Sequence, residues 1–213
     1  MFSTALQNIA ALSAHPTSLF ALGGVLLLIF LFLYIRHIRF TPAMLIYIGL
    51  MLALTILLHQ LRLYHMPQGG SITCGAMIPL LLITYRYGCG VGCLTGFLYG
   101  MINLLQDPYV LHPVQVLFDY PLPYMALGLA ALLPSHRWLS TLAAFIGRFA
   151  CHFISGAVFF ASYAPAGTSP YLYSLTFNAT YLVPEFIICF AILKVLPVER
   201  LLTAMDHTSI RYN

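Results

Sequence analysis

The sequence predicts an all-α fold, a polytopic helical bundle embedded in a membrane. Of its 213 residues, 61% are hydrophobic and 7% are charged, whereas an ordinary soluble domain has a charged fraction of ~25%. Nine basic and five acidic side chains cannot provide a hydrated surface for a globular protein of this length. The composition therefore disfavours a soluble enzyme, a nucleic-acid-binding domain and a disordered chain.

Seven apolar segments separated by turn-forming residues support this fold class. A helix needs about 20 residues to cross the hydrocarbon of a bilayer, so the loops between seven crossings must be short. Pro and Gly mark the breaks, as at Pro67-Gln68-Gly69-Gly70 and at Gly88-Cys89-Gly90. The third segment is short for a span, and we expect protein to shield its ends. The segments comprise residues 19–35, 43–61, 73–86, 90–105, 115–133, 139–162 and 172–196.

The distribution of Lys and Arg predicts the orientation of the chain. Basic residues accumulate in cytoplasmic loops, and here one side of the membrane receives all of the loop and tail basic residues except Arg62. With seven spans, the C-terminus is expected in the cytoplasm and the N-terminus outside. The predicted outer loops are residues 62–72, 106–114 and 163–171.

Four ionisable residues fall inside predicted spans, where charge is costly and indicates function. They are Asp119, Arg148, His152 and Glu185. At 1.5 Å per residue, Asp119 and His152 lie in the outer half of the bundle, which Tyr173 and Asn178 enter from the same side. A pocket open to the outside is predicted there, although a core histidine bonded to a neighbouring helix also remains possible for His152.

Arg148 and Glu185 lie deeper, at similar distances from the outer ends of their helices. We expect a structural ion pair between the sixth and seventh segments, with a proton or ion relay as the alternative.

The predicted pocket suits a cation. Asp119 is the only carboxylate in the outer half of any predicted span. Aromatic residues, among them Tyr109, Tyr120 and Phe160, lie near the outer face. Rings at this level also occur as an interfacial belt. An acid surrounded by aromatic faces holds an organic cation through charge pairing and cation–π attraction. The residues alone therefore predict a small, flat, positively charged ligand.

Catalysis finds little support in the sequence. It contains no Gly-x-Ser-x-Gly elbow, no His-Glu-x-x-His metal site and no phosphate-binding Gly-x-x-x-x-Gly-Lys-[Ser/Thr] loop. We expect no enzymatic activity, no cofactor and no bound metal, and any ATP hydrolysis must come from other subunits. A self-sufficient secondary transporter is also disfavoured, because neither repeated halves nor ion-coupling sites are evident.

Gly49 and Ala53 form a small-xxx-small pair in the second segment, which lets helices approach closely in lipid. The pair fits either internal packing or the docking of a partner protein.

Several stretches, in order and spacing, resemble the thiamine-specific S component, the substrate-binding membrane subunit of energy-coupling factor (ECF) transporters. They lie within residues 43–196. The stretches are Pro67-Gln68-Gly69-Gly70-Ser71-Ile72-Thr73, His112-Pro113-Val114-Gln115, Leu117-Phe118-Asp119-Tyr120-Pro121, Gly147-Arg148-Phe149, His152-Phe153-Ile154-Ser155-Gly156, Tyr163-Ala164-Pro165-x-Gly167, and Leu172-Tyr173-Ser174 followed by Asn178.

The resemblance implies six core helices and a thiamine site near the outer face. In this site the acid faces the charged ligand, aromatic rings stack on its two heterocycles, and His and Asn side chains supply hydrogen bonds. Some members have Glu at the position of Asp119 and Trp at that of Phe160, so weaker stacking is expected here. The residues carried over are Asp119, Tyr120, His152, Gly156, Phe160, Tyr173, Asn178 and Tyr109.

The resemblance also implies the partners and the domain division. We expect high-affinity thiamine binding and translocation in the cell membrane, powered by an ECF transmembrane coupling protein and two ATP-binding subunits that dock near Gly49 and Ala53. Residues 1–42 would form an extension with an additional transmembrane helix, 43–200 the thiamine-binding core and 201–213 a cytoplasmic tail. An S component for another flat cationic or heteroaromatic vitamin is the alternative.

Overall fold

The computed structural model describes residues 16–207, and nearly all of the chain in this range is helical. Residues 1–15 and 208–213, which belong to the predicted extension and tail, lie outside the described residues. The elements are α1 (Pro16–Ile35), α2 (Pro42–Gln60), β1 (Arg62–His65), β2 (Ser71–Thr73), α3 (Ile78–Gln106), α4 (Pro113–Asp119), α5 (Pro121–Met125), a 3₁₀ helix (Ala126–Ala131), α6 (Arg137–Phe159), a 3₁₀ turn (Ala161–Tyr163), α7 (Pro170–Val195) and α8 (Val198–His207).

Helix α3 contains the third and fourth predicted segments and is broken at Gly88. This residue has φ +84° and ψ 180°, a backbone conformation that is costly for residues with a Cβ. A side chain at Gly92 would collide with that of Thr84, although eight residues along a straight helix span about 12 Å. The chain therefore folds back at Gly88 into two neighbouring arms, which confirms the break predicted there.

The fifth predicted segment is helical but not continuous, so its prediction as one uninterrupted span is wrong. Helix α4 ends at Asp119, Tyr120 is the cap residue between the two helices with φ −117° and ψ −78°, and α5 begins at Pro121. Proline lacks the amide hydrogen that a continuing helix needs. The interruption places Asp119 at a helix end, beside the loop that precedes α4.

A short antiparallel hairpin replaces part of the first predicted outer loop. Tyr64 pairs with Ile72 and His65 with Ser71. Its strands have only four and three residues, too few for an alternating pattern to be recognised in the sequence. This hairpin marks one end of the bundle, which is called the hairpin end below.

Five helices in the described part of the chain are long and apolar enough to cross a membrane, namely α1, α2, α3, α6 and α7. The buried core lies among both arms of α3, the 3₁₀ helix, α6 and α7, with Leu81, Tyr99, Leu127, Phe145 and Cys189 at its centre. Helix α1 packs on the outside of this arrangement, against α3 and α4. The six-segment core with an additional N-terminal helix is therefore present.

Candidate thiamine site

A cavity at the hairpin end brings together all eight residues that the sequence predicts for the ligand. Its walls come from the hairpin, the loop before α4, and helices α2 to α7. The predicted residues in its lining are Tyr109, Asp119, Tyr120, His152, Gly156, Phe160, Tyr173 and Asn178. The convergence of these elements supports the predicted position of the pocket.

Asp119 lies between two hydrogen-bond donors. The Nε2 atom of Gln115 donates to its Oδ2 at 2.5 Å, and Nδ1 of His152 lies 3.3 Å from its Oδ1. An ionised carboxylate only accepts hydrogen bonds, so this contact assigns the imidazole proton to Nδ1 and a lone pair to Nε2. Nε2 of His152 is buried and has no partner among the described residues. Each oxygen of Asp119 therefore has a side-chain partner in the protein.

Gln115 contributes to the candidate site, although no pattern in the sequence predicted it. It is one turn before Asp119 in α4, which begins with Pro113 after a capping His112. Its Oε1 accepts from the amide of Leu111 at 2.9 Å, and its Nε2 also donates to the carbonyl of Tyr109 at 3.0 Å. These bonds fix the orientation of the amide group, so that its second N–H points at Asp119. Only the four-residue spacing between Gln115 and Asp119 could have indicated this role.

Tyr120 lines the cavity, but its hydroxyl group already bonds to the protein. It accepts from the amide of Tyr109 at 2.6 Å and donates to the carbonyl of Asp107 at 2.9 Å. Tyr120 thus holds the loop between α3 and α4 in place. With its hydroxyl group bonded to the protein, Tyr120 offers the cavity only its ring.

Aromatic rings cover the hairpin end of the cavity. Tyr109 and Phe160 stack with centroids 5.7 Å apart and planes 24° apart. The hydroxyl groups of Tyr109 and Tyr163 lie 2.8 Å apart, and this bond raises the pKa of Tyr109. Tyr173 and Phe177 form a second ring pair on α7. Two sets of aromatic faces therefore border the cavity near Asp119.

Asn178 and Gly156 bring α6 and α7 close together beside the cavity. The side-chain amide of Asn178 donates to the carbonyls of His152 and Ser174, at 3.2 and 2.8 Å, and accepts from Tyr181 at 2.8 Å. A side chain at Gly156 would collide with Ser174, so only glycine permits this approach. Asn178 borders the predicted site, but protein groups occupy its amide.

The predicted ion pair between Arg148 and Glu185 is not formed, and this part of the prediction is wrong. The two Glu185 oxygens accept from the amide and the hydroxyl of Thr73, at 2.5 and 2.6 Å. The Arg148 guanidinium instead lies 4.7 Å from the centroid of the Tyr124 ring, and Arg148 lines the cavity. Thr73 is at the end of β2, and its distance from Glu185 along the chain hides this bond from sequence analysis.

Gly49 and Ala53 lie on an exposed face of α2. Apart from the neighbouring backbone of α2 itself, no described atom lies within 4 Å of the position that a Cβ of Gly49 would take. The sequence predicted that this pair serves either internal packing or the docking of a partner. Among the described residues, no other helix packs against the pair.

Comparison with known proteins places the chain in a family. Residues 45–204 match the family model described as thiamine transporter protein (Thia_YuaJ). The chain is 43% identical over 148 residues to the thiamine transporter ThiT of Bacillus subtilis (strain 168), an alignment that covers 62% of this chain and 77% of the relative. It is 32% identical over 122 residues to the thiamine transporter ThiT of Lacticaseibacillus paracasei, covering 48% and 61% of the two chains.

A solved structure shares the fold. ThiT from Listeria monocytogenes aligns with a TM-score of 0.66 at 20% sequence identity, over 74% of this chain and 93% of that one. Together with the family match over most of the sequence, this similarity leads to one conclusion: the chain belongs to the thiamine transporter protein family.

Proposed function

We propose that this protein binds thiamine in the cavity at the hairpin end and is the substrate-binding, translocating S component of an ECF-type uptake transporter. Thiamine combines a cationic thiazolium ring with an aminopyrimidine, and so matches the flat cation predicted from the residues. The observation that carries the proposal is the position of Asp119, a carboxylate on the cavity wall whose described partners, Gln115 and His152, include no permanent cation.

The other charges near the cavity support this assignment. Asp107 also lines the cavity, but its Oδ2 lies 2.8 Å from Nη1 of Arg62, which offsets its charge. Arg148 and Glu185 are both buried and lie farther along their helices from the hairpin end. Both oxygens of Glu185 accept hydrogen bonds from Thr73. Asp119 therefore remains as the acid whose charge a bound cation would balance.

The aromatic residues supply the second part of recognition. A cation over an aromatic face gains about 0.5 to 2 kcal/mol, depending on how far water is excluded. The ring pairs Tyr109–Phe160 and Tyr173–Phe177 border the same cavity as Asp119. A ligand with two flat rings, one of them charged, uses both the carboxylate and these faces.

Measuring thiamine binding to the purified protein tests the proposal. Thiamine should quench the intrinsic fluorescence at sub-micromolar concentrations. Asp119→Asn should weaken binding by at least about 30-fold, since removing one partner of a buried charge pair costs roughly 2 to 5 kcal/mol. Asp107→Asn is the matched control, because it makes the same change in an acid that already has Arg62 as partner.

Equal losses in the two variants, or no binding below the micromolar range, would contradict the thiamine assignment. Competition with other flat cationic or heteroaromatic vitamins tests the alternative ligand class. Stronger displacement by one of these than by thiamine itself would favour that alternative.

The proposal includes orientation, domains and partners. The hairpin end faces outside, where the hairpin closes over captured thiamine, and the C-terminal helix α8 is cytoplasmic. Residues 1–42, 43–200 and 201–213 are the extension, the binding core and the tail. A separate coupling protein with two ATP-binding subunits drives reorientation, and it docks on the exposed face around Gly49 and Ala53.

A further inference from the structure

A second cavity, here called the basic cleft, lies at the end of the bundle opposite the hairpin. It has a volume of about 750 Å³ and shares no lining residue with the cavity at the hairpin end. Its walls come from the loop before α6, the first turns of α6, the end of α7 and the start of α8. The basic cleft is therefore separate from the candidate thiamine site.

Positive charge is in excess in the basic cleft. Among the described residues that line it, Arg137, Lys194 and Arg200 are basic and Glu199 is acidic. Arg137 pairs with Glu199 through Nη1, which joins α6 to α8 and balances the acid. Lys194 and Arg200 are exposed, and neither forms an ion pair with an acid in the described part of the chain. Two cations of the cleft are therefore available to an anion.

The surroundings of these cations also favour negative charge. Nζ of Lys194 lies 5.3 Å from the centroid of the Phe190 ring, which holds the ammonium group at the cleft. Helix α6 begins at Arg137 with no acid in its first turn and no side-chain cap from His136. The free amides at the start of a helix attract anions. The start of α6 thus adds to the attraction of Lys194 and Arg200 for an anion.

The apolar part of the lining distinguishes a lipid from a soluble anion. Trp138 lines the cleft and is 50% exposed, as expected of a tryptophan at the level of lipid headgroups. Leu133 and Val195, which adjoin lining residues in the sequence, are 47% and 86% exposed. An anion with acyl chains can place its phosphate at the cations and its chains along these apolar side chains. Basic pockets at the ends of spans bind anionic headgroups in this way.

We propose that the basic cleft binds the phosphate headgroup of an anionic phospholipid. Lys194 and Arg200 are its cationic partners, and Trp138 lies beside the start of the acyl chains. Phosphatidylglycerol brings one negative charge to this site. Phosphatidylcholine also brings a cation, which Lys194 and Arg200 repel. The site is additional to the proposed transport function and does not depend on it.

The fluorescence of Trp138 tests this proposal directly, because Trp138 is the single tryptophan of the chain. The full-length protein is placed in phosphatidylcholine vesicles with increasing shares of phosphatidylglycerol whose acyl chains are brominated and quench a tryptophan on contact. Brominated phosphatidylcholine gives the reference. The test variant combines Lys194→Gln with Arg200→Gln. Its matched control combines Arg36→Gln with Arg39→Gln, two exposed cations between α1 and α2 at the same end but outside the cleft.

In the wild-type protein and in the control, phosphatidylglycerol should bind beside Trp138 about 5- to 30-fold more tightly than phosphatidylcholine, since each nearby cation contributes about fivefold. The test variant should reduce this preference to about twofold or less. Equal quenching by the two lipids in the wild-type protein would overturn the proposal. An equal loss of preference in the control and the test variant would also overturn it, since the general surface charge would then be responsible.

The same measurement separates the lipid from other occupants. Millimolar inorganic phosphate should leave the quenching by phosphatidylglycerol unchanged, and displacement would assign the cleft to a free phosphate and reject the lipid. Equal quenching by both lipids that is lost on adding the coupling module would assign it to a partner protein instead. If the double variant does not fold, Lys194→Gln and Arg200→Gln should each lower the preference by about fivefold, and an unchanged preference in both would reject the site.

Discussion

At the scale of single residues, the candidate site depends on groups that orient Asp119. Gln115 is 1% exposed, and its amide bonds simultaneously to the loop before α4 and to Asp119. Asp119 accordingly has one oxygen fixed by Gln115 and the other directed at His152. The orientation of the Asp119 carboxylate is therefore set by the loop before α4 as well as by α4 itself.

Gln115→Met should weaken thiamine binding by about 10- to 100-fold, because a hydrogen bond to a charged group contributes roughly 1.5 to 3 kcal/mol. Methionine has a similar length but cannot donate to Asp119. Titrations with thiamine and with an analogue carrying an uncharged ring in place of the thiazolium measure the effect. The loss should be larger for thiamine, since the Asp119 charge acts mainly on the cation.

Gln106→Met is the control for that substitution, as it changes an exposed glutamine at the same end of the bundle. Equal losses for the charged and the uncharged ligand would contradict a positioning role of Gln115 and indicate general damage to the loop.

At the scale of elements, the sequence predicted which segments are helical better than it predicted where the helices are interrupted and which distant residues meet. The apolar segments follow from the hydropathy pattern and the break at Gly88 from turn-forming residues, whereas the full set of eight site residues is what the family resemblance implies. The helix is interrupted at Tyr120 because Pro121 follows it. A proline is also compatible with the first turn of a helix, so Pro121 alone did not predict the interruption. The Thr73–Glu185 bonds join groups 112 positions apart. No local pattern indicates such a pair, and Arg148 therefore had the wrong predicted partner.

Helix α1 braces the element that carries Asp119. The rings of Phe20 and Phe118 lie 6.0 Å apart edge to face, and Leu31 packs in one cluster with Phe118 and Leu122. Phe118 precedes Asp119 in the seven-residue helix α4, which is too short to be stable by itself. We infer that helix α1 stabilises the candidate site through α4.

Leu31→Ala should therefore weaken thiamine binding by roughly fivefold, which corresponds to about 1 kcal/mol of lost packing that also holds α4. Thiamine dissociation rates and thermal unfolding temperatures measure the two consequences separately. Leu27→Ala is the matched control, because Leu27 is 55% exposed whereas Leu31 is 5% exposed. A lower unfolding temperature with unchanged thiamine affinity in the folded protein would show that α1 does not act on the site.

At the scale of the whole molecule, the charges divide the bundle into regions with different roles. Charge at the hairpin end is arranged around Asp119, with Arg62 and Asp107 paired at its margin. At the opposite end Arg137 pairs with Glu199 of α8 at 2.5 Å, which lowers the pKa of Glu199. Between these ends, Gly49 and Ala53 lie exposed on α2. The candidate cavity and the exposed face around Gly49 are thus separate surfaces, and substitutions should distinguish their proposed roles.

Gly49→Leu should leave thiamine affinity unchanged and reduce thiamine uptake by at least about tenfold, the effect of losing ~1.4 kcal/mol of docking energy. Small residues let helices in lipid approach closely, and a leucine at this position would hold a partner helix away. Gly23→Leu is the matched control, because Gly23 lies on the exposed face of α1 and also has no described atom within 4 Å of its Cβ position. Uptake is measured in vesicles that contain the protein with its coupling module, and binding is measured on the protein alone. Normal uptake by Gly49→Leu, or an equal loss in Gly23→Leu, would show that the partner docks elsewhere. A parallel loss of thiamine affinity would show that the face around Gly49 is not separate from the binding site.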